Sequence, residues 1–544
     1  MNSNGYLSTF LLAALFSATV SMPASAEVTN LPGMWYDQDK SFGMDPWWYH
    51  DTNGNGQWDL LEPAAPAFDP AWGSGRTADI WHRAWFNDTT TENGAHDVGE
   101  PVTKEPPPGL QTWAQAREAP DNGCWIASAA NMLRYIGGPD RYTMWAFTAG
   151  VTGTDIFGNT VIKTFDDSGS QGEALSSDGY KTEGIQRLFL WSGADPIQWI
   201  QARLQRGLPV GIGIPGHALT LYGLDAGFMS GSMTVADSDI PPAGVWPTYS
   251  YTAFNNSGLW DIFLRYPGAQ NAQQLLCAIS FATTDWQGAG TAGNTATSGW
   301  QTNWTDPRNW PTGTVPGMKD VAYLQFTCAG AVNLDAGAVA AALYVDGSAT
   351  LKLNSGADLR VDGNENIGVN SNGTVQQSAG NHVIENSLQL ACRPGTSATF
   401  TLSGGALSAR YEIVGQQGTA VMNQLNGTNV VSESLFIGYP LGSNGIYNLQ
   451  GGSLSASSIY VGQYGTGVLD WRGGTLCAER LEVGAGGTLT TNQDWVFSGA
   501  LDIEGGTVHL EGHCLQLNAG GSGRLNGGEL RNTGGTGVYV GLIG

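Results

Sequence analysis

Gly451-Gly452-Ser453-Leu454-Ser455-Ala456 leads to Ile459-Tyr460-Val461-Gly462, and the same pattern recurs along the C-terminal half of the chain. Gly404-Gly405-Ala406-Leu407-Ser408-Ala409 leads to Ile413-Val414-Gly415, and Asn426-Gly427 leads to Leu435-Phe436-Ile437-Gly438. A further copy runs from Gly473-Gly474-Thr475-Leu476 to Leu481-Glu482-Val483-Gly484. The second glycines stand at 405, 427, 452 and 474, so the spacings are 22, 25 and 22. A turn followed by short apolar strands, repeated roughly every 20 to 30 residues, predicts a parallel β-solenoid. One such coil cannot bury its apolar face alone and needs neighbours to stack on.

Composition agrees with this reading. Glycine accounts for 78 of 544 residues, about twice the usual share, and only 13% are charged. Turn-dense β structure follows, not a charged helical bundle. Aromatics at 10%, with 20 Trp, supply material for packed cores and exclude a wholly disordered chain. Lys+Arg number 23 against 47 Asp+Glu, a net charge of −24. That balance excludes a cationic face for nucleic acid and argues against anionic lipid.

At roughly 150 residues per domain the length implies three or four domains. Residues 27–108 are rich in Trp, Asp, Asn and Pro and close with Pro106-Pro107-Pro108, whereas 109–284 mix helical and strand patterns and read as an α+β domain. Residues 285–300, centred on Gly288 to Ser298, read as a linker, and 301–544 hold the repeats. The repeat region resembles the β-helical passenger repeats of autotransporter-type surface proteins. That resemblance implies a rigid spacer or an adhesive stalk, one that touches a surface or a glycan.

Residues 1–26 have the form of an export signal. Phe10 to Val20 is an apolar run of suitable length, and Ala24-Ser25-Ala26 provides a cleavage site, although no Lys or Arg precedes the run. No other stretch approaches the roughly 18 apolar residues of a transmembrane helix. The expected location is therefore secreted or cell-surface, of a bacterial type, with no transmembrane segment. The cysteines, Cys124, Cys277, Cys328, Cys392, Cys477 and Cys514, form no C-x-x-C pair, which disfavours a zinc ribbon or a thioredoxin-type site. Cys277, within Leu275-Leu276-Cys277-Ala278-Ile279, reads as core.

Residues 51–62 spell Asp-Thr-Asn-Gly-Asn-Gly-Gln-Trp-Asp-Leu-Leu-Glu. Asp51, Asn53, Asn55, Asp59 and Glu62 then occupy loop positions 1, 3, 5, 9 and 12, with Gly56 at the sharp turn and the Gln57 carbonyl at position 7. Calcium takes about six to eight hard oxygens, and this EF-hand-like spacing delivers them. A second copy is visible: Trp85-Phe86-Asn87-Asp88 answers Trp48-Tyr49-His50-Asp51, and Asn93, Asp97 and Glu100 follow Asp88. It is one residue longer and has Thr90 where the first has a stronger ligand. No helical pattern brackets either loop, so a structural extracellular Ca2+ site is expected and not a sensor.

The chemistry is read from Asp121-Asn122-Gly123-Cys124-Trp125-Ile126-Ala127-Ser128-Ala129-Ala130-Asn131-Met132-Leu133-Arg134-Tyr135-Ile136-Gly137-Gly138. Asp121 or Asn122 can cap a helix that begins near Cys124 and stops at the glycine pair. A cysteine in a first helical turn faces unpaired N–H groups and the positive end of the macrodipole, which favours the thiolate. Between about 102 and 284 the one histidine is His217, at the start of His217-Ala218-Leu219-Thr220-Leu221-Tyr222-Gly223-Leu224-Asp225 and just after Pro215-Gly216. A strand Met233-Thr234-Val235-Ala236 then ends in Asp237-Ser238-Asp239, whose carboxylates can hold the second ring N–H of an imidazole.

These segments, in this order, resemble the papain-like cysteine peptidases of the immunoglobulin-degrading IdeS/Mac type. The resemblance covers 109–284, about a third of the chain. It implies Cys124 as nucleophile, His217 as general base and acid, Asp237 as orienting carboxylate and Asp239 as its neighbour. It also implies an upstream amide for the oxyanion hole, for which Gln115 is the candidate and Gln111 the fallback. The expected protein is thus multidomain: a small calcium-loop module, an α+β papain-like domain and an all-β solenoid. The expected function is a secreted cysteine endopeptidase acting on protein or peptide. Two other readings fit the same residues. One is another Cys-His-Asp acyl transferase, transglutaminase-like or a cell-wall amidase; the other is a surface adhesin with an inactive peptidase-like domain.

The calcium loops generate a direct expectation. EDTA lowers the melting temperature of the secreted protein, and added Ca2+ restores it. A melting curve unchanged by chelation removes the calcium assignment.

Overall fold

The computed structural model describes residues 124–137, 175–288 and 302–542 with short interruptions, together with short strands between 47 and 103 and between 152 and 162. Residues 1–26 and 289–300 lie outside the described residues.

At the N-terminal end four short strands are described. Trp47–His50 pairs antiparallel with Ala64–Ala65 and with Trp81–Phe86, and Trp81–Phe86 pairs in turn with Val102–Thr103. Trp47–His50 and Trp81–Phe86 thus each pair with a short strand that follows them across a connection, and they pair with each other. Asp51, Asn53, Asn55, Gln57, Asp59 and Glu62 fall in the first connection, and Asp88, Asn93, Asp97 and Glu100 in the second. All ten lie outside the described residues.

Next comes a helix–sheet unit. Eight antiparallel strands lie in the order Gln273–Gln274, Leu259–Arg265, Thr248–Asn256, Ser230–Ala236, His217–Asp225, Val210–Ile214, Cys277–Phe281, Thr182–Gln186. Helix α1 spans Cys124–Tyr135 and helix α2 spans Pro196–Gln205. α2 starts where its sequence dictates: Asp195 accepts from the Ile197 backbone N–H at 2.9 Å, and Pro196 occupies the first turn, where no N–H partner is required. Ile197, Ile200 and Leu204 recur at helical spacing and are buried. Among the described residues no helix is long and apolar enough to cross a membrane.

The chain leaves this sheet at Phe281 and enters the solenoid almost at once. Thr283–Asp285 pairs in parallel with Val321–Phe326, so a single residue, Ala282, separates the two architectures. The passage precedes the Gly-rich stretch and does not run across it. From there the chain is an all-β parallel solenoid of about nine turns over residues 321–531. Its walls are a 13-stranded and a 10-stranded sheet. Alternate residues point inward, as in Ser397–Leu402 and Asn444–Leu449, and equivalent residues stack coil on coil: Leu407, Asn429, Leu454 and Leu476 form one such row. Trp286, Trp304 and Trp310 close the first coil, with ring centroids 5.3 and 4.9 Å apart.

The recurring glycines have a specific task. Gly405, Gly427, Gly452 and Gly474 adopt φ between 76° and 83°, and each lies against the carbonyl of the equivalent glycine one coil earlier. A Cβ on Gly452 would sit 2.1 Å from the Gly427 oxygen. Only a residue without a side chain fits both the left-handed backbone and this approach.

The interior also carries polar layers. Glu365 Oε2 and His382 Nε2 meet at 2.6 Å, both side chains fully buried. One repeat later Asn429 Nδ2 donates to Glu412 Oε2 at 3.0 Å, and the Tyr447 hydroxyl donates to Gln424 Oε1 at 2.6 Å. Gln377 and Gln424 each donate to a glycine carbonyl three residues on, Gly380 and Gly427, and to the next coil at Ala406 and Ser453. The pairs 365/412, 377/424 and 382/429 are each 47 residues apart, the sum of the 22- and 25-residue spacings. The structural repeat is therefore two coils. Burial pushes the Glu412 carboxyl up to about 7, against the bond from Asn429.

Two glycines test the stacking argument. Gly442 has φ +88° and no atom within 4 Å of where a Cβ would stand, whereas Gly452 faces the Gly427 carbonyl. Gly442→Ala should lose about 1–2 kcal/mol from the left-handed backbone alone, and Gly452→Ala clearly more, by urea unfolding. Equal losses would mean that the close approach is not what selects glycine.

Candidate active site

α1 begins at Cys124 and ends at Tyr135, and Gly137, with φ +77°, turns the chain away in the left-handed region. Ala129, Met132, Leu133 and Ile136 are buried at i, i+3, i+4 and i+7, and Tyr135 packs against the core of the sheet. Beside it runs His217–Asp225, buried from Ala218 through Leu224. Both of its faces are covered, which is why this strand is apolar nearly throughout.

Helix and strand are joined by side chains as well as by packing. Ser128 Oγ donates to the Leu219 carbonyl at 2.8 Å and lies 3.0 Å from Thr220 Oγ1, and the Thr220 hydroxyl donates to the Ser128 carbonyl at 3.2 Å. Ser128 and Thr220 are both fully buried. Cys124 stands one turn before Ser128, about 6 Å along the helix axis. His217 stands two residues before Leu219, about 7 Å along the strand.

The far ends of helix and sheet show that these two offsets run in the same direction. The Tyr135 and Ile136 carbonyls, at the end of α1, accept from Asn364 Nδ2 at 3.1 Å and from the Asn364 backbone N–H at 2.8 Å. Gly207, just before Val210–Ile214, accepts from the Tyr344 hydroxyl at 3.3 Å. Asn364 and Tyr344 are solenoid neighbours, since the Leu343 N–H donates to the Asn364 carbonyl. Val210 pairs with Leu221 and Ile214 with His217. The N-terminus of α1 and the His217 end of the hairpin are thus both remote from the solenoid.

His217 is half-buried and opens its strand after a two-residue connection, 215–216. Ser230–Ala236 flanks it antiparallel on the other side, with Ala236 opposite Thr220. Asp237, Asp239, Gln115 and Gln111 lie outside the described residues; of Cys124 the helical backbone position is described. Among the described residues no group of three or more His, Cys, Asp or Glu could hold a metal ion.

No family model, curated protein or solved structure matches the chain. The case for a thiol site therefore rests on its own residues. Other thiols have different surroundings. Cys277 is 1% exposed in the sheet, as its apolar run suggests, and burial holds the Cys392 thiol well above its ordinary range. Cys477 and Cys514 are exposed on the solenoid.

Sequence reasoning did not find the Ser128–Thr220 pair or Asn364. A serine in a small-residue helix and a threonine in an apolar strand carry no mark of their partner 92 residues away. Ser128→Ala removes the donor to a buried carbonyl, so it should destabilise the protein by about 1–3 kcal/mol in urea unfolding. An alanine variant as stable as the parent would show that the tether contributes nothing.

Proposed function

We propose that this protein is an exported cysteine endopeptidase of the papain-like type, acting on protein or peptide chains. The observation that carries this reading is the Ser128 tether, which holds the helix opened by Cys124 against the strand opened by His217, one turn and two residues from the bond. A helix N-terminus stabilises a thiolate through its dipole and unpaired N–H groups, and an imidazole brought to the same end forms an ion pair with it.

The mechanism in this reading is covalent acyl transfer. The Cys124 thiolate attacks the scissile carbonyl carbon, and the His217 imidazolium protonates the departing amine. Water, deprotonated by His217, then adds to the thioester and releases the carboxylate, returning the thiol. Asp237, with Asp239 nearby, would orient the imidazole through its second N–H. The Cys124 backbone N–H and the Gln115 amide would donate to the tetrahedral oxyanion.

Calcium has a separate, structural place in this reading. The first connection is closed at its base by the Trp48–Ala65 and Tyr49–Ala64 pairings, and a twelve-residue oxygen-rich segment, Asp51–Glu62, spans it. That donor set suits a hard cation, which would order the loop and take no part in the thiol chemistry.

Product analysis tests the reading. The intact protein, incubated with varied protein substrates in Ca2+, should release peptides with free carboxylates, mapped by mass spectrometry. Cys124→Ala should lower the rate by at least about 10³-fold. Full activity in that variant, or cross-linked lysines or released muropeptides in place of cleaved chains, would contradict it.

A further inference from the structure

We propose that the solenoid is a positioning element of the thiol site: Asn364 caps the C-terminus of α1 and so sets where Cys124 stands relative to His217, while Arg393 caps the C-terminus of α2 beside it. The inference rests on the reading of Cys124 as nucleophile, and it gives the solenoid a part in that reading beyond that of a spacer or stalk.

The last carbonyls of a helix have no partner within it and carry the negative end of the dipole. For α1 the solenoid supplies the missing donors. Asn364 gives its side-chain amide to Tyr135 and its backbone N–H to Ile136. Its own Oδ1 accepts from Asn386 Nδ2 at 2.9 Å, so the next coil holds the cap in turn. The fit is close: a Cβ on Gly137 would lie 2.2 Å from Asn364 Oδ1, and a Cβ on Gly363 would lie 2.3 Å from the Ile136 oxygen. For α2 the donor is a cation. Arg393 Nη2 donates to the Leu204 carbonyl, while its Nη1 bonds Asn370 at 2.9 Å.

A spacer needs no polar contact with the ends of helices. Here the same two neighbouring coils receive both, and only Ala282 separates the antiparallel sheet from the first solenoid strand. Ser128 holds α1 sideways against the sheet; Asn364 opposes sliding along the axis. Without these donors α1 is free to shift along its axis, away from the solenoid, and that shift carries Cys124 out of register with the His217 end and weakens the thiolate–imidazolium pair.

The test uses the full-length chain, with iodoacetamide labelling of Cys124 followed against pH and resolved by peptide mass spectrometry from Cys477 and Cys514. Asn364→Asp keeps the shape but removes the donor and sets an anion against the carbonyls. In the parent the labelling midpoint should lie well below an ordinary thiol's, near 8.5, and Asn364→Asp should raise it by about one unit or more while near-ultraviolet dichroism stays native. Lost stability alone would not move the midpoint of the folded molecules. If Asn364→Asp does not fold, Asn364→Ala, which retains the backbone bond to Ile136, should give a smaller shift in the same direction. A depressed midpoint that is identical in parent and variant overturns the positioning role and leaves the peptidase reading intact. An ordinary midpoint in the parent overturns the peptidase reading itself.

Discussion

A twelve-residue helix does not hold itself in place. At that length helix formation in water is marginal, so its neighbours decide where its first residue stands. The buried bonds between Ser128 and Leu219–Thr220 make that decision for α1, and among the described residues they link the only segments in which a cysteine and a histidine open adjacent elements. Apolar burial alone would fix neither the rotation nor the register of the helix. Directional bonds between buried groups do more, because any other rotation or register leaves a carbonyl and two hydroxyls without partners.

The solenoid obeys the same rule in another form. Its coils close around stacked apolar rows, but at Glu365–His382 and again at Glu412–Asn429–Tyr447–Gln424 the rows turn polar. Each of these side chains bonds at least one partner on the neighbouring strand or the next coil. The glutamines reach glycine carbonyls in the turn, and Trp471 repeats that contact through its indole N–H to Gly474 when the polar layer gives way to an apolar one. Such layers recur two coils apart, at 365/412, 377/424 and 382/429, which gives the 47-residue unit.

The solenoid was legible in the sequence because its cause is periodic: each turn needs a glycine at a fixed place, and each strand needs alternate apolar residues. Helix α1 and the strand His217–Asp225 were legible for a similar reason, through small and apolar runs bounded by Gly137 and by Pro215. Contacts between distant segments were not. Asn364 looks like any solvent-facing turn residue in Asp362-Gly363-Asn364-Glu365, yet it is buried against the end of α1. Composition also placed the change of architecture at the Gly-rich stretch after Gln287, whereas Thr283–Asp285 already belongs to the solenoid sheet. A three-residue strand is too short to have a composition of its own.

The proposed site requires that the Cys124 thiolate and the His217 imidazolium sense each other. The direct measurement is an NMR titration of the His217 ring, compared between the parent and Cys124→Ser. A thiolate neighbour should hold the imidazolium pKa well above its ordinary value of about 6.5, and serine, uncharged, should let it fall back towards that value. Identical titration curves in the two proteins would mean that the two side chains do not meet.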